Sequence, residues 1–307
     1  MGVLLTLVLM VAGAGAGVWG EVRRPQAAIG LARRLLLVML YGLVPPVIFF
    51  NLAAASISVD NAVGIAVALV NMGLVGVAVW FVAARLLRLG RAQTGAVICA
   101  AIVANTTYLG YPLTVALLGR DHLPTGVLFD VLVGGPTLMF GAFGVGAAFG
   151  TKAGEGMRER VRTFFTRNPP LYAAVLGLLA PGVLAPQVLV DASQVLAVAI
   201  LPLGFFAVGA TLAEGAEHGE LSLPPPLTAP VAVATTGRLA LAPALLMLLA
   251  APLIDLPSAY RLMSAMPTGI NALVVSHAYG LDNRIVAETI TWSTAIVILG
   301  ALMSLLF

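Results

Sequence analysis

Charged residues are scarce in this sequence. Asp, Glu, Lys and Arg make up 9% of its 307 residues, whereas a soluble domain carries roughly 25%. Hydrophobic residues account for 60%. A water-soluble fold of this length could not bury so much apolar side chain, so the composition indicates a protein that lies in a lipid bilayer. At about 20 residues for each span, the chain is long enough for roughly nine to eleven transmembrane helices.

Cysteine and recognisable catalytic motifs are also scarce. Cys99 is the only cysteine, which rules out an intrachain disulfide, and the three histidines are too scattered to suggest a metal site. The apolar segments contain no phosphate-binding loop, no Ser/His/Asp set and no pair of aspartates. We therefore predict a protein that is not an enzyme and that has no cofactor, no bound metal and no nucleic-acid partner.

Apolar runs separated by turn residues or charges predict an all-α membrane protein with ten spans. They lie near residues 2–20, 35–56, 61–84, 95–118, 124–149, 169–185, 190–213, 227–252, 258–279 and 284–306. We interpret the first run as a retained helix and not as a signal peptide, because Arg23 and Arg24 follow the run instead of preceding it.

Basic residues concentrate in the connections after spans one, three and five. Twelve of the sixteen lie there, namely Arg23, Arg24, Arg33, Arg34, Arg85, Arg88, Arg91, Lys152, Arg158, Arg160, Arg162 and Arg167. The positive-inside rule then predicts that these connections are cytoplasmic. Both termini of this multi-pass protein would lie on the non-cytoplasmic side of the cell (inner) membrane.

Two short matches indicate an internal repeat. The stretch that begins at Pro46 resembles the one at Pro202, and residues 118–122 resemble residues 279–283. Two halves of five spans each must insert with opposite topology, which is typical of secondary transporters. We predict a first repeat over 1–150, a short basic cytoplasmic loop over 151–168 and a second, inverted repeat over 169–307.

Spans four and nine each carry a proline among polar residues. Pro112 and Pro267 predict breaks near Thr107–Tyr111 and Thr268–Asn271, because proline removes a backbone donor and crowds the preceding turn. A broken helix presents a half-helix N-terminus that suits a carboxylate. The alternative is a pair of kinks that only shape packing. The predicted substrate-binding residues are Asn105, Thr106, Thr107, Tyr108, Gly110, Tyr111, Pro112, Pro267, Thr268, Gly269, Ile270 and Asn271.

Ionisable residues inside spans are further candidates, because a charge at membrane depth usually faces a partner or a cavity. Asp130 could bind a proton or cation that drives transport, or it could pair with a neighbouring helix. For Arg238 we favour a structural or gating role over attraction of an anion. His277 is a weaker candidate for coupling, and Glu288 is expected to be exposed at the cytoplasmic interface.

Several stretches resemble those of a known family and follow one another in the same order along the chain. They are Asn105–Leu113 with Ala116–Gly119, Arg167–Gly177, Arg238–Pro243, and Ala265–Gly280 with Ser293–Thr294. Together they resemble the auxin efflux carrier family, the first as its N-T-x-x-x-G-x-P-L motif. The resemblance covers nearly the whole chain. It implies ten helices in two inverted five-helix repeats, broken helices 4 and 9 that cross, substrate at the crossing and an elevator mechanism.

The resemblance also implies a substrate class. Bacterial members are associated with carboxylates such as malate or malonate, and plant members carry the auxin anion. The long hydrophilic loop of many plant members is missing, which favours a prokaryotic type. We therefore expect a secondary active transporter of a small organic anion, with protons as the candidate coupling ion and a homodimer as a candidate assembly. The alternatives are a sodium-coupled symporter of the related bile acid type, whose acidic or Gln ligands helix 9 lacks, and a channel or sensor.

Overall fold

The computed structural model describes residues 3–152, 162, 166, 168–217 and 225–303. In these ranges the chain is helical apart from its connections and one isolated antiparallel bridge between Ala104 and Thr268. Seven of the helices are long and apolar enough to cross a membrane. The all-α membrane character predicted from composition is therefore confirmed.

Twelve helices are numbered here in chain order. They are α1 (Val3–Arg23), α2 (Pro25–Ala53), α3 (Val59–Leu86), α4 (Arg91–Ile102), α5 (Tyr111–Leu117), α6 (Arg120–Phe149), α7 (Pro169–Leu179), α8 (Gln187–Glu217), α9 (Ala229–Ala250), α10 (Ser258–Ser264), α11 (Asn271–Tyr279) and α12 (Asn283–Met303). A π-helical turn, Thr106–Gly110, leads directly into α5.

The predicted spans differ in how they appear in the structure. The seven membrane-length helices are α1, α2, α3, α6, α8, α9 and α12. Predicted span four is divided into α4 and α5, span nine into α10 and α11, and span six is the 11-residue α7. The count of ten spans and the inverted repeat remain predictions.

The second helix begins earlier than the sequence indicates. Residues 25–34 belong to α2, so Arg33 and Arg34 lie in a helix and not in the predicted connection. The hydropathy signal is weak here because the fully buried residues of this stretch are small, and Ile29 is only half-buried. Ala28 and Ala32 are buried, and Ala32 packs with Ala207 and Ala210 of α8. Most of the predicted loop 151–168 lies outside the described residues.

The helices pack as two groups. The first helix group consists of α1, α2, α7 and α8, and the second consists of α3–α6 and α9–α12. Close backbone approach holds the first group together, since a Cβ added to Gly13 of α1 would lie 2.5 Å from the carbonyl oxygen of Pro202 in α8. The groups meet where α5, α6 and α12 contact α1, α2 and α8. The two broken helices belong to the second group.

Candidate functional site

The two broken helices meet through their unwound segments. The backbone N–H of Asn105 donates to the carbonyl of Pro267 at 2.7 Å, and the N–H of Gly269 donates to the carbonyl of Val103 at 2.9 Å. Backbone groups released by each break are thus satisfied by the other, as burial inside a membrane protein requires. We call this pair of segments, Val103–Asn105 and Ala265–Ile270, the crossover.

The first break does not lie where the proline predicts it. The helix ends at Ile102, ahead of the predicted Thr107–Tyr111, and Thr106–Gly110 is helical. The π-helical turn accommodates Pro112, which is the second residue of α5 and follows that turn without a break in the helix. The second break matches its prediction more closely, because helical structure resumes at Asn271.

Gly269 and Thr268 fix the geometry of the crossover. A Cβ added to Gly269 would lie 2.8 Å from the carbonyl oxygen of Ala104, so only glycine permits this approach. The Thr268 hydroxyl donates to the carbonyl of Ala100 at 2.7 Å, and its N–H donates to the hydroxyl of Ser293 at 3.1 Å. Thr268 is fully buried, so it ties α4, the crossover and α12 together.

Arg238 of α9 binds the C-terminal ends of both upstream half-helices. Its Nη1 donates to the carbonyls of Ala101 and Ile102 at 3.2 and 3.3 Å, and its Nη2 donates to the carbonyl of Ser264. Ile102 is the last residue of α4 and Ser264 the last of α10. A cation at these two ends is favourable because each carries a partial negative charge of about one half.

Asp130 of α6 contacts the turn that follows the first break. The hydroxyls of Thr106, Thr107 and Tyr111 all donate to its carboxylate, the last two at 2.7 and 2.5 Å. A Cβ added to Gly134 would lie 2.9 Å from Asp130 Oδ1 and 3.3 Å from Thr106 Oγ1, so glycine leaves room for this cluster. A carboxylate at a half-helix N-terminus offsets its positive partial charge.

A cavity of about 580 Å³ lies beside the crossover. Of the predicted residues, those that line it are Asn105, Thr106, Thr107, Tyr108, Asp130, Arg238, Gly269, Ile270 and Asn271. Those outside its lining are Gly110, Tyr111, Pro112, Pro267, Thr268 and His277. The structure therefore brings both breaks and the ionisable candidates Asp130 and Arg238 to one space.

The side-chain amides of Asn105 and Asn271 make no hydrogen bonds within the part of the chain that the structure describes. Asn105 is 8% exposed, whereas Asn271 is exposed at the first turn of α11. Arg238 Nε likewise has no partner among these residues. The cavity thus offers two amides to a bound molecule, whereas Arg238 Nε is buried away from it.

Part of the lining could not be found from the sequence. Val44 and Ile48 of α2, and Leu171 and Ala174 of α7, contribute apolar surface from the first helix group. Residues of this kind occur throughout the chain, so no local signal marks them. Asn168 also lines the cavity and caps α7 through a hydrogen bond to the N–H of Leu171 at 3.3 Å.

The other two ionisable candidates, His277 and Glu288, lie away from the crossover. His277 is exposed near the end of α11, where its Nδ1 is 3.4 Å from Asn283 Nδ2. Glu288 is buried and pairs with Arg284 at 2.8 Å, so the expected interfacial exposure of Glu288 is wrong. The Arg284 side chain, one helical turn earlier, is 57% exposed and carries the ion pair to the surface.

The chain is similar to known transporters. Residues 159–305 match the model of a family described as membrane transport protein. An uncharacterized transporter from Methanothermobacter thermautotrophicus is 31% identical over 137 residues, which are 44% of this chain and 43% of the relative. An uncharacterized transporter from Methanocaldococcus jannaschii is 22% identical over 305 residues, or 95% of this chain and 93% of the relative. The match thus spans less than half of the first relative.

Proposed function

We propose that this chain, whose residues 159–305 match the membrane transport protein family, is a secondary active carrier of a small organic anion bound beside the crossover. The observation that carries the proposal is the meeting of both breaks at one cavity that also receives Asp130 and Arg238. A volume of about 580 Å³ lies within the range of small-molecule sites.

The lining supports a carboxylate with a modest apolar part. The N-terminus of α11 and the free amides of Asn105 and Asn271 supply donors for the carboxylate oxygens, and α2 and α7 supply apolar walls. A malate- or malonate-like acid, or an auxin-like monocarboxylate, has this chemistry. Arg238 supplies no hydrogen bond to the carboxylate, because its Nη atoms are occupied by backbone carbonyls and its Nε is buried.

The balance of charge supports proton coupling. The C-terminal ends of α4 and α10 together carry about −1, which the charge of Arg238 offsets. The N-terminal ends at Thr106 and Asn271 carry about +1, which an ionised Asp130 offsets. A bound monoanion then leaves an excess of about one negative charge at membrane depth, which is unfavourable. One proton on Asp130 removes the excess, so we propose that one proton accompanies each monoanion.

The two helix groups support an elevator-type movement. The crossover, Asp130 and Arg238 all belong to the second helix group, whereas the first group contributes only the apolar wall and Asn168. A displacement of the second group along the first would carry the polar half of the site with it. The same binding residues would then reach the substrate first from one side of the membrane and then from the other.

The test is uptake of labelled mono- and dicarboxylates into proteoliposomes, with pH and sodium gradients varied separately. We expect accumulation driven by an inward proton gradient, indifference to sodium, and counterflow exchange. Accumulation that requires sodium would favour the bile acid type of symporter. Currents without counterflow would identify a channel, and binding without accumulation would identify a sensor.

A further inference from the structure

A second cavity, of about 660 Å³, lies between α3, α4 and α6. We call it the lateral groove. Gly73, Gly76 and Gly141 line it without contributing side chains, and Phe140 beside it is 73% exposed. A Cβ added to Gly73 would meet no atom within 4 Å, which shows that the space there is open.

The lining of the lateral groove is apolar apart from the Thr137 hydroxyl and the indole of Trp80. It therefore offers almost nothing to a polar ligand and suits a hydrocarbon chain. The stretch of α3 that lines it runs from Leu69 to Trp80, about 16 Å at 1.5 Å per residue. That length equals about half of a 30 Å hydrocarbon core, so the groove matches one leaflet.

One end of the groove is basic. The guanidinium carbon of Arg85 lies 5.9 Å from the ring centroid of Trp80, and the structure assigns Arg85 no carboxylate partner among the residues it describes. Phe149, which also lines the groove, packs on Gly95, and Arg91 donates to the carbonyl of Ala148 at this same end. Tryptophan and arginine at the end of an apolar segment are typical of the level of the lipid head groups.

We propose that the lateral groove binds one acyl chain of an anionic phospholipid whose phosphate is held at Arg85. The apolar lining accepts the chain, the one-leaflet length fits it, and the charge of Arg85 selects the anionic head group over a neutral one. A juxtamembrane arginine contributes such selectivity because the ammonium group of a neutral lipid offsets its phosphate charge, whereas an anionic head group presents a net negative charge within Coulomb range.

The lateral groove shares a wall with the cavity at the crossover. Met72, Ile102 and Thr137 line both spaces. Met72 Sδ lies 3.8 Å from Arg238 Nη1, and the carbonyl of Ile102 accepts a hydrogen bond from the same nitrogen. An acyl chain in the groove would therefore pack against the residues that surround Arg238.

The test uses Trp80 as a reporter of the groove. The substitutions Trp19→Phe and Trp292→Phe leave it as the only tryptophan, and brominated phospholipids quench tryptophan only at close range. In vesicles of phosphatidylcholine with a small fraction of brominated lipid, we expect brominated phosphatidylglycerol to quench Trp80 at about one fifth of the concentration that brominated phosphatidylcholine requires. This ratio corresponds to about 1 kcal/mol for one arginine. The quenching of Trp80 can also be measured without the double substitution. It equals the quenching of the parent protein minus the quenching of its Trp80→Phe variant.

Two variants separate the parts of the proposal. Arg85→Gln should remove the preference for the anionic lipid, and Gly73→Leu should reduce quenching by both lipids because leucine fills the groove. Gly15→Leu is the matched control, since Gly15 also lies exposed on a membrane-length helix with nothing within 4 Å of an added Cβ. Equal quenching by both lipids, unaffected by Arg85→Gln, would mean ordinary lipid contact and would overturn the proposal. Weak quenching that rises as the protein is diluted would show that a second copy covers the groove, and would overturn it too.

Discussion

Asp130 lies against the N-terminal turn that follows the first break, whereas Arg238 lies against the C-terminal ends of both upstream half-helices. Opposite charges thus face opposite helix ends. The polarity of a helix end explains why an acid serves one position and a base the other. It also explains how Arg238 can be buried without a carboxylate partner among the described residues.

Arg238 is expected to stabilise the protein. In Arg238→Gln three buried carbonyls compete for fewer donors, and an unsatisfied buried group costs about 1–3 kcal/mol. We therefore expect unfolding in detergent micelles to require about 3 kcal/mol less free energy. The control is Arg261→Gln, which breaks the ion pair with Asp255 at 2.5 Å, where the two side chains are 49% and 93% exposed. An exposed pair contributes about 1 kcal/mol or less. Equal stability of the two variants would refute the capping role.

Asp130 is expected to carry the coupling proton. The substitution Asp130→Asn keeps the size and most hydrogen bonds of the carboxyl group, but the amide that replaces it cannot change its charge. We predict that counterflow exchange of labelled substrate persists, while accumulation driven by a pH gradient falls to the background of empty vesicles. Thr114→Val is a control on α5, since among the described residues the Thr114 hydroxyl bonds only to the carbonyl of Gly110, at 2.8 Å. Full pH-driven accumulation in Asp130→Asn would remove Asp130 from the mechanism.

Sequence reasoning could identify these two residues but not their partners. An ionisable side chain within an apolar run is visible without a structure. The carbonyls that Arg238 binds are 26, 136 and 137 residues away in the chain, and no local pattern connects them. Glu288 is the contrary case, because Arg284 stands four residues earlier, and the i, i+4 pair could have been recognised.

At the scale of single elements, the crossover depends on backbone approach more than on proline. Pro112 correctly indicated an irregular helix, but the π-helical turn absorbs the missing donor, and the break occurs where Asn105 turns to pair with Pro267. The sequence could predict that both helices are interrupted. It could not predict the register, because that is set by hydrogen bonds between segments far apart in the chain.

Gly269→Ala should disrupt the crossover. The added Cβ would lie 2.8 Å from the carbonyl oxygen of Ala104, and the contacting atom is backbone, so the two segments must separate. We expect transport to be lost. Circular dichroism should show unchanged helix content, because the residues that separate are not helical in the parent protein. Gly135→Ala is a matched control, because Gly135 lines the same cavity and its added Cβ meets no atom within 4 Å. Normal transport by Gly269→Ala would show that the pairing is dispensable.

At the scale of the whole molecule, composition and family resemblance predicted the helical membrane class and a transporter family. The helical membrane class is confirmed, and residues 159–305 match the model of a membrane transport family. The division into two helix groups was implied only by the resemblance. Composition could not reveal it, because the apolar faces between the groups and those towards lipid have the same residue types. The orientation and the inverted repeat remain predictions from loop charge and two short matches.

A disulfide between the groups should stop transport if the second group moves along the first. An ideal Cβ on Gly204 of α8 lies 3.4 Å from Tyr108 Cβ, close to the separation of about 3.5–4.5 Å in disulfides. In a Cys99→Ala background, we predict that Gly204→Cys with Tyr108→Cys is inactive when oxidised. On reduction it should recover the activity of Tyr108→Cys alone, which is the reference because Tyr108 also lines the cavity. Gly20→Cys with Ala28→Cys, also 3.4 Å apart but within the first group, should be indifferent to oxidation. Equal activity of the first pair in both states would contradict the movement.

The central claim is that one proton enters the cavity with each monoanion. The most direct test records proton and anion uptake in the same proteoliposomes, with a pH-sensitive dye inside and a labelled monocarboxylate outside, while electrodes follow net current. The account predicts about one proton per anion and no net current, because protonation of Asp130 offsets the negative charge that the monoanion adds. Anion uptake without protons, accompanied by a current, would contradict it.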